Sequence, residues 1–196
     1  MTEVVRRLRL NETYTVRKGL KNVGLYKANP VAVTFGEVME KPVSFTIRID
    51  SKDAFTISGL KVAGVESENT FAGRMGDSIQ TVAGTLFISP TKFYSDACIG
   101  TSIRYAIGKA DGAADRYLHA LRVELGSKEA TIINLSINDT SIARAEDILN
   151  TLIEVYNEKW IQDKNQIAVS TSQFIGDRLS VIESELGHVD ENISSF

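Results

Sequence analysis

The sequence predicts an α+β protein: an antiparallel β-rich body with short helices, followed by a long, protruding C-terminal helix. In residues 44–58 apolar and polar side chains alternate, as in strands with one buried face. From residue 141 to the end, apolar side chains recur at steps of three and four, which is helix spacing. Glycines and short polar turns divide the first part, which predicts an antiparallel β-rich module.

The composition is that of an ordinary globular chain. Of its 196 residues 43% are hydrophobic, which is enough for a core and one or two domains. No apolar run approaches the roughly eighteen residues of a membrane-spanning helix. Cys98 is the single cysteine, so no internal disulfide forms.

Charge is unevenly distributed along the chain. The net charge is −3, but residues 141–196 hold 4 basic and 10 acidic side chains, so residues 1–140 carry +3. Lys and Arg are scattered through the earlier part without clustered aromatic residues, so no nucleic-acid partner is predicted.

Residues 1–13 are predicted to form an N-terminal helix of a base domain. Val4, Val5 and Leu8 fall on one helical face, and Arg6 and Arg7 lie largely off it. Because this helix begins at residue 2 and the C-terminal pattern runs to the last residue, we expect a segment of a longer protein.

Residues 14–100 are predicted to form a β-rich module. Its expected strands lie at residues 31–35, 44–49, 55–58 and 86–89. Asp50 to Asp53 supply the turn between the second and third of these strands.

Residues 101–140 are predicted to complete the base domain. A strand, a helix and a hairpin are expected at 101–107, 111–119, and 121–125 with 131–137, respectively. The long helix is expected to follow directly after this hairpin.

Residues 141–196 are predicted to form the long helix that starts a helical protrusion. At about 1.5 Å per residue it would be roughly 85 Å long, against the ~30 Å diameter of a small domain. Its first apolar line is predicted to pack on the body: Ile142, Ala145, Leu149, Leu152 and Tyr156. Its second is predicted to be a seam for another helix: Ile175, Leu179, Ile182, Leu186, Val189 and Ile193. The partner helix is expected in sequence outside this segment or in another subunit.

The segment shows no catalytic, cofactor or metal constellation. Asp111, Asp115 and His119 have a metal-like spacing on one helical face, but we interpret them as a solvated face beside Arg116. Cys98 lies in no nucleophile motif, and the glycines form no phosphate-binding loop. We therefore expect that this segment is not an enzyme and holds no cofactor.

The last 80 residues or so follow a recognisable order. It comprises a strand pair, the polar step Asn138-Asp139, a helix start through Ala145, Leu149 and Tyr156, and a long helix with Phe174-Ile175 and Leu179. This order resembles the Wzz-type chain-length determinants, and within them the polysaccharide co-polymerase branch that often carries a cytoplasmic tyrosine autokinase domain. The opening EVVRRLRL and the β-rich region resemble that branch more loosely.

The resemblance implies the periplasmic region of an inner-membrane protein with two membrane helices. Such proteins form an α/β base domain and a helical protrusion, assemble with themselves into rings, and govern the length and export of capsular polysaccharide or exopolysaccharide. The implied partners are further copies of the chain, the polysaccharide polymerase and export machinery, and the polysaccharide itself. Neither the membrane helices nor kinase motifs occur in this segment, so kinase activity of the parent stays an open expectation.

Three other functions remain open on the sequence. A carbohydrate-binding module would contact polymer through Tyr14, Tyr26, Phe71 or Tyr94 of the β-rich region. A freestanding enzyme is disfavoured by the missing constellation. A generic coiled-coil adaptor would lack flanking membrane helices.

Overall fold

The computed structural model describes residues 1–37, 41–126 and 132–194, and the side chains of its last helix as far as residue 182. The predicted α+β class is confirmed: antiparallel sheets, short helices and a long C-terminal helix. The helices are α1 (Thr2–Leu8), α2 (Ala110–Ala120) and α3 (Ile142–Ser194), with a 3₁₀ turn at Asp96–Cys98. The chain divides into two compact units, Met1–Thr151 and a second beginning at Leu152.

The largest sheet has seven strands, all paired antiparallel. Its path is β2 (Lys21–Gly24), β1 (Glu12–Lys18), β10 (Ser102–Ile107), β4 (Val43–Ile49), β5 (Ala54–Val62) and β6 (Val65–Glu66), and β7 (Phe71–Arg74) also pairs with β5. The β4–β5 hairpin turns at the predicted residues 50–53. Because β10 lies between β1 and β4, a strand from the segment 101–140 is central to the β-rich module.

A second, three-stranded sheet shares its core with the first. It comprises β3 (Val31–Phe35), β9 (Gly84–Pro90) and β8 (Ser78–Thr81), in that order. Alternate residues of β4 point into the core, as the sequence pattern predicts: Val43, Phe45, Ile47 and Ile49 are all buried. One apolar cluster joins them to buried side chains of the second sheet, namely Val31, Val33, Leu86 and Ile88.

The predicted hairpin before the long helix is confirmed as β11 (Leu121–Leu125) paired with β12 (Ile133–Ile137). Its connection, residues 127–131, lies outside the described residues. The register sets Leu121 opposite Ile137 and Leu125 opposite Ile133, so one face of the ribbon is apolar and the other polar.

Two short helices pack against each other beside the sheets. The predicted helix α1 buries Val4 and Val5 and ends at Arg9, which adopts a left-handed conformation with φ of 52°. The predicted helix α2 buries Ala113, Ala114 and Tyr117.

Helix α3 buries a different line of residues from the predicted one. Ile148, Thr151 and Val155 are buried. Of the predicted line, Ala145, Leu149 and Leu152 are half-buried, whereas Ile142 and Tyr156 are 79% and 67% exposed. The buried line runs one residue earlier, about 100° round the helix. Each line takes one residue from the adjacent apolar pairs Ile148-Leu149 and Val155-Tyr156. The spacing of apolar residues therefore does not determine which of the two lines is buried.

Candidate functional site

The main cleft lies entirely within residues 1–151 and has a volume of about 620 Å³. Ligand sites commonly measure about 300–1,000 Å³. Its walls come from β1, β2, the loop after β2, α2 and the residues that lead into α3. Charged and amide groups are frequent in the lining: Arg9, Lys27, Arg116, Arg144, Glu12, Asp139, Asn22, Asn29 and Asn138.

One wall is built by an ion pair at the start of α3. Arg144 donates from Nε to Oδ2 of Asp139 at 2.8 Å and from Nη2 to Oδ1 at 2.6 Å. The Asp139 side chain is only 5% exposed and that of Arg144 is 19% exposed. The Ser141 N–H also donates to Asp139 Oδ1 at 2.8 Å, and the Ser141 hydroxyl accepts from the Arg144 N–H at 3.3 Å. Ser141 is therefore the helix cap, and Asp139 fixes the Arg144 side chain.

The electrostatics of this pair favour its charged form. Burial alone would raise the pKa of the Asp139 carboxyl, but the hydrogen bonds from Arg144 and from the Ser141 N–H outweigh burial and lower it below its ordinary value. The hydrogen bonds that Arg144 donates to Asp139 raise the pKa of Arg144. Both groups are ionised at neutral pH.

A second contact ties the loop after β2 to the first turns of α3. The Tyr26 hydroxyl donates to Asp147 Oδ2 at 2.8 Å, and Lys27 Nζ lies 2.6 Å from the same oxygen. The Arg144 guanidinium lies over the Tyr26 ring, 5.8 Å from its centroid. The bond from Lys27 is the main cause that lowers the pKa of Asp147, whereas burial and the bond to Asp147 raise the pKa of Tyr26.

An aromatic residue and a carboxylate, Tyr14 and Glu12, line the cleft on the side towards the core. Tyr14 accepts a hydrogen bond from the Val33 N–H at 3.0 Å, and burial raises the pKa of Tyr14 to about 12. Glu12 lies 2.9 Å from Arg9 Nη2, with its side chain 9% exposed, and burial raises its pKa despite that partner. Tyr105, directly opposite Tyr14 on β10, is fully buried behind this wall. Its hydroxyl makes no hydrogen bond of ordinary geometry within the described part of the chain, but it interacts with the Glu12 carboxylate, and burial together with that carboxylate raises the pKa of Tyr105.

Arg116 marks the junction of the cleft with a second hollow. The second hollow measures about 320 Å³ and shares Thr13 and Arg116 with the first. Arg116 is exposed on α2, with its guanidinium 5.1 Å from the centroid of the Tyr117 ring. Across residues 1–37, 41–126 and 132–182, no carboxylate forms an ion pair with it.

The structure brings two of the four predicted glycan-contacting aromatic residues into the cleft. Tyr14 and Tyr26 both line it. Phe71 lies on β7 against the core, and the Tyr94 hydroxyl donates to the Ser51 and Lys52 carbonyls at 3.2 and 2.9 Å. Arg116, Asp139 and Arg144 also line the cleft, and the sequence pattern did not predict them as parts of one site. The only local signal was Asp139 and Ser141 preceding an arginine at the helix start.

The predicted helix seam is exposed as far as it is described. Ile175, Leu179 and Ile182 are 52%, 53% and 41% exposed. The side chains of the remaining predicted seam positions, Leu186, Val189 and Ile193, lie outside the described residues. A second exposed apolar line, distinct from the predicted seam, recurs every seven residues at Ile167, Phe174 and Val181. It lies about 100° round the helix from the predicted seam.

The metal-like set on α2 lies on the surface. Asp111, Asp115 and His119 are all exposed. Over the part of the chain that the structure describes, no group of three His, Cys, Asp or Glu side chains is placed to hold a metal ion.

Among the described residues, none of the helices combines the length and apolar character that a membrane crossing requires. The sequence matches no protein-family model and no curated protein.

Proposed function

We propose that this chain is the periplasmic region of a polysaccharide co-polymerase, which regulates the chain length and export of capsular polysaccharide or exopolysaccharide by assembling with copies of itself. The exposed seam on α3 carries the proposal. Ile175, Leu179 and Ile182 place large apolar side chains on one helical line in water. Such a line is typical of a helix that packs lengthwise on another. The similarity to Wzz-type chain-length determinants supports the same assignment.

In this proposal the segment acts by assembly and not by catalysis. Neighbouring copies bury their seams against one another, and the resulting ring presents its base domains to the polymerase and export machinery at the inner membrane. A tyrosine autokinase domain of the parent would reside in the cytoplasm, outside this segment. A GxxxxGK[ST] motif in the parent gene tests that part independently.

The assembly proposal is tested in the full-length membrane protein by replacing Ile175 and Ile182 together with Glu. Two carboxylates on the seam then lose their hydration on assembly without a partner, so we expect a smaller oligomer and an altered polymer length. Gln173→Glu with Ser180→Glu is the matched control, because it adds the same charges at the same seven-residue spacing on the opposite helical face. Oligomer mass that is unchanged in the first variant, or equally reduced in both, contradicts the proposal.

Saccharide binding in the cleft is a second candidate function. Tyr14 and Tyr26 line it together with the amides of Asn22, Asn29 and Asn138, and such groups pair with sugar hydroxyls. Titration calorimetry of the chain with oligosaccharides tests this function without reference to assembly.

A further inference from the structure

We propose that the cleft and the adjoining hollow form one groove that binds an acidic oligosaccharide, with a sugar carboxylate paired to Arg116. The inference rests on the second candidate function, saccharide binding. It adds that the saccharide is negatively charged and that Arg116 binds its carboxylate.

The charge of the groove favours an anionic ligand. Its lining contains five basic side chains, those of Arg9, Lys27, Lys109, Arg116 and Arg144, against two acidic ones, Glu12 and Asp139. Both acidic groups already have cationic partners, because Asp139 is held by Arg144 and Glu12 by Arg9. Arg116 and Lys109 have no ion pair within the described chain.

Arg116 is suited to a carboxylate by its chemistry and position. A guanidinium offers two parallel N–H donors that match the two oxygens of a carboxylate. Because Arg116 borders both hollows, a ligand that pairs with it has room for further sugar rings on either side. Thr13 and Asn11 in the smaller hollow, and Asn22 and Asn138 in the larger one, supply neutral partners for hydroxyl groups.

The aromatic residues favour a saccharide over single-stranded nucleic acid, the other flexible polyanion of this size. Base binding needs bare ring faces for stacking. Tyr117 is only 6% exposed and Arg116 lies over its ring, while Arg144 lies over the ring of Tyr26. Tyr14 is turned edge to face towards Tyr105. The groove therefore presents hydrogen-bonding groups at the positions where a nucleic-acid base would need an uncovered aromatic ring for stacking.

The test is isothermal titration calorimetry of the 196-residue chain with tetragalacturonate, maltotetraose and a tetrathymidylate oligonucleotide. We expect tetragalacturonate to bind at least about tenfold more tightly than neutral maltotetraose of the same length. Arg116→Gln should weaken tetragalacturonate binding about tenfold or more and leave maltotetraose binding within about twofold. Arg122→Gln is the matched control, because it removes the same charge from an exposed site outside the groove.

Each alternative result has a separate meaning. Equal binding of the two tetrasaccharides overturns the choice of an acidic ligand but keeps saccharide binding. Binding of neither saccharide overturns both, and tighter binding of the oligonucleotide overturns the ligand class. Equal losses in Arg116→Gln and Arg122→Gln assign the effect to overall charge and overturn the role of Arg116. A thermal melt followed by circular dichroism checks that each variant is folded. Arg116→Lys keeps the positive charge but lacks the two parallel N–H donors of the guanidinium, so its affinity for tetragalacturonate should lie between those of Arg116→Gln and the unmodified chain.

Discussion

The rings of Tyr14 and Tyr105 meet edge to face, with centroids 5.0 Å apart, at directly opposed positions of β1 and β10. Their hydroxyls have different surroundings. Tyr14 accepts the Val33 N–H of β3 and so links the seven-stranded sheet to the three-stranded one. The buried Tyr105 hydroxyl makes no hydrogen bond of ordinary geometry in the described ranges and interacts with the Glu12 carboxylate. The same chemical change at the two rings therefore has different consequences.

Tyr14→Phe is predicted to lower the free energy of unfolding by about 1–3 kcal/mol, because it leaves the Val33 N–H without an acceptor inside the protein. Tyr105→Phe is predicted to cost less than Tyr14→Phe, because the hydroxyl it removes interacts with the Glu12 carboxylate but makes no hydrogen bond of ordinary geometry in the described residues. Urea unfolding of both variants at pH 7 measures the difference. Equal losses of stability would contradict the asymmetry between the two hydroxyls.

Asp139→Asn is predicted to destabilise residues 1–151 by about 1.5–3 kcal/mol. The substitution removes the charge that holds Arg144 and weakens the acceptor of the Ser141 N–H. Asp115→Asn removes the same charge from an exposed position in the middle of α2 and should change stability by less than about 0.5 kcal/mol. Urea unfolding followed by far-UV circular dichroism measures the free energy of unfolding of both variants. A loss as small as that of the control would show that the ion pair contributes little.

Glu12→Gln is predicted to gain stability relative to the unmodified protein as the pH rises from 4.5 to 8. Burial raises the pKa of Glu12 above 4.5, so the folded protein retains this proton to a higher pH than the unfolded chain. The associated stability is present below pH 4.5 and is lost as the pH rises through the folded pKa. Glutamine does not titrate and avoids that loss.

The measurement is urea unfolding of both proteins at several pH values between 4.5 and 8. Glu124→Gln, which removes the same kind of side chain from an exposed position of β11, is the control. A stability difference between Glu12→Gln and the unmodified protein that stays constant over this pH range would show that the ionisation of Glu12 is not coupled to folding.

The strands were predictable because their signal is local. Val43 to Ile49 alternate between the core and the outer face, and the short polar turn at 50–53 sets the hairpin that follows. The cleft was not predictable, because its contacts join distant parts of the chain: Tyr26 meets Asp147 across 121 positions. No spacing rule links a loop tyrosine to a helical aspartate. The two predicted glycan-contacting residues inside the cleft were selected as aromatic residues, whereas its charged groups required the fold to bring them together.

The sequence pattern of α3 predicts a helix but does not predict which residues or molecules pack against it. From Tyr156 to Ile182 every side chain is exposed. A helix without packing is only marginally stable in water, so its backbone hydrogen bonds should open readily. We predict that amide hydrogens of residues 157–182 exchange much faster than those of β4 and β5 when the chain is dilute.

Gly176→Ala tests whether the intrinsic stability of this helix controls its rate of hydrogen exchange. Apart from its chain neighbours and the backbone of its own helical turns, a methyl group added at Gly176 meets no atom within 4 Å, so the change acts mainly on helix propensity. It should stabilise the surrounding helix by about 1 kcal/mol and slow exchange several-fold near residue 176, while β4 and β5 stay unchanged. Hydrogen exchange mass spectrometry at two protein concentrations measures the effect. Slow exchange of residues 157–182 in the unmodified protein at both concentrations would contradict an unpacked helix. Protection that rises with concentration would instead show that the exposed seam already pairs between copies, as the assembly proposal requires.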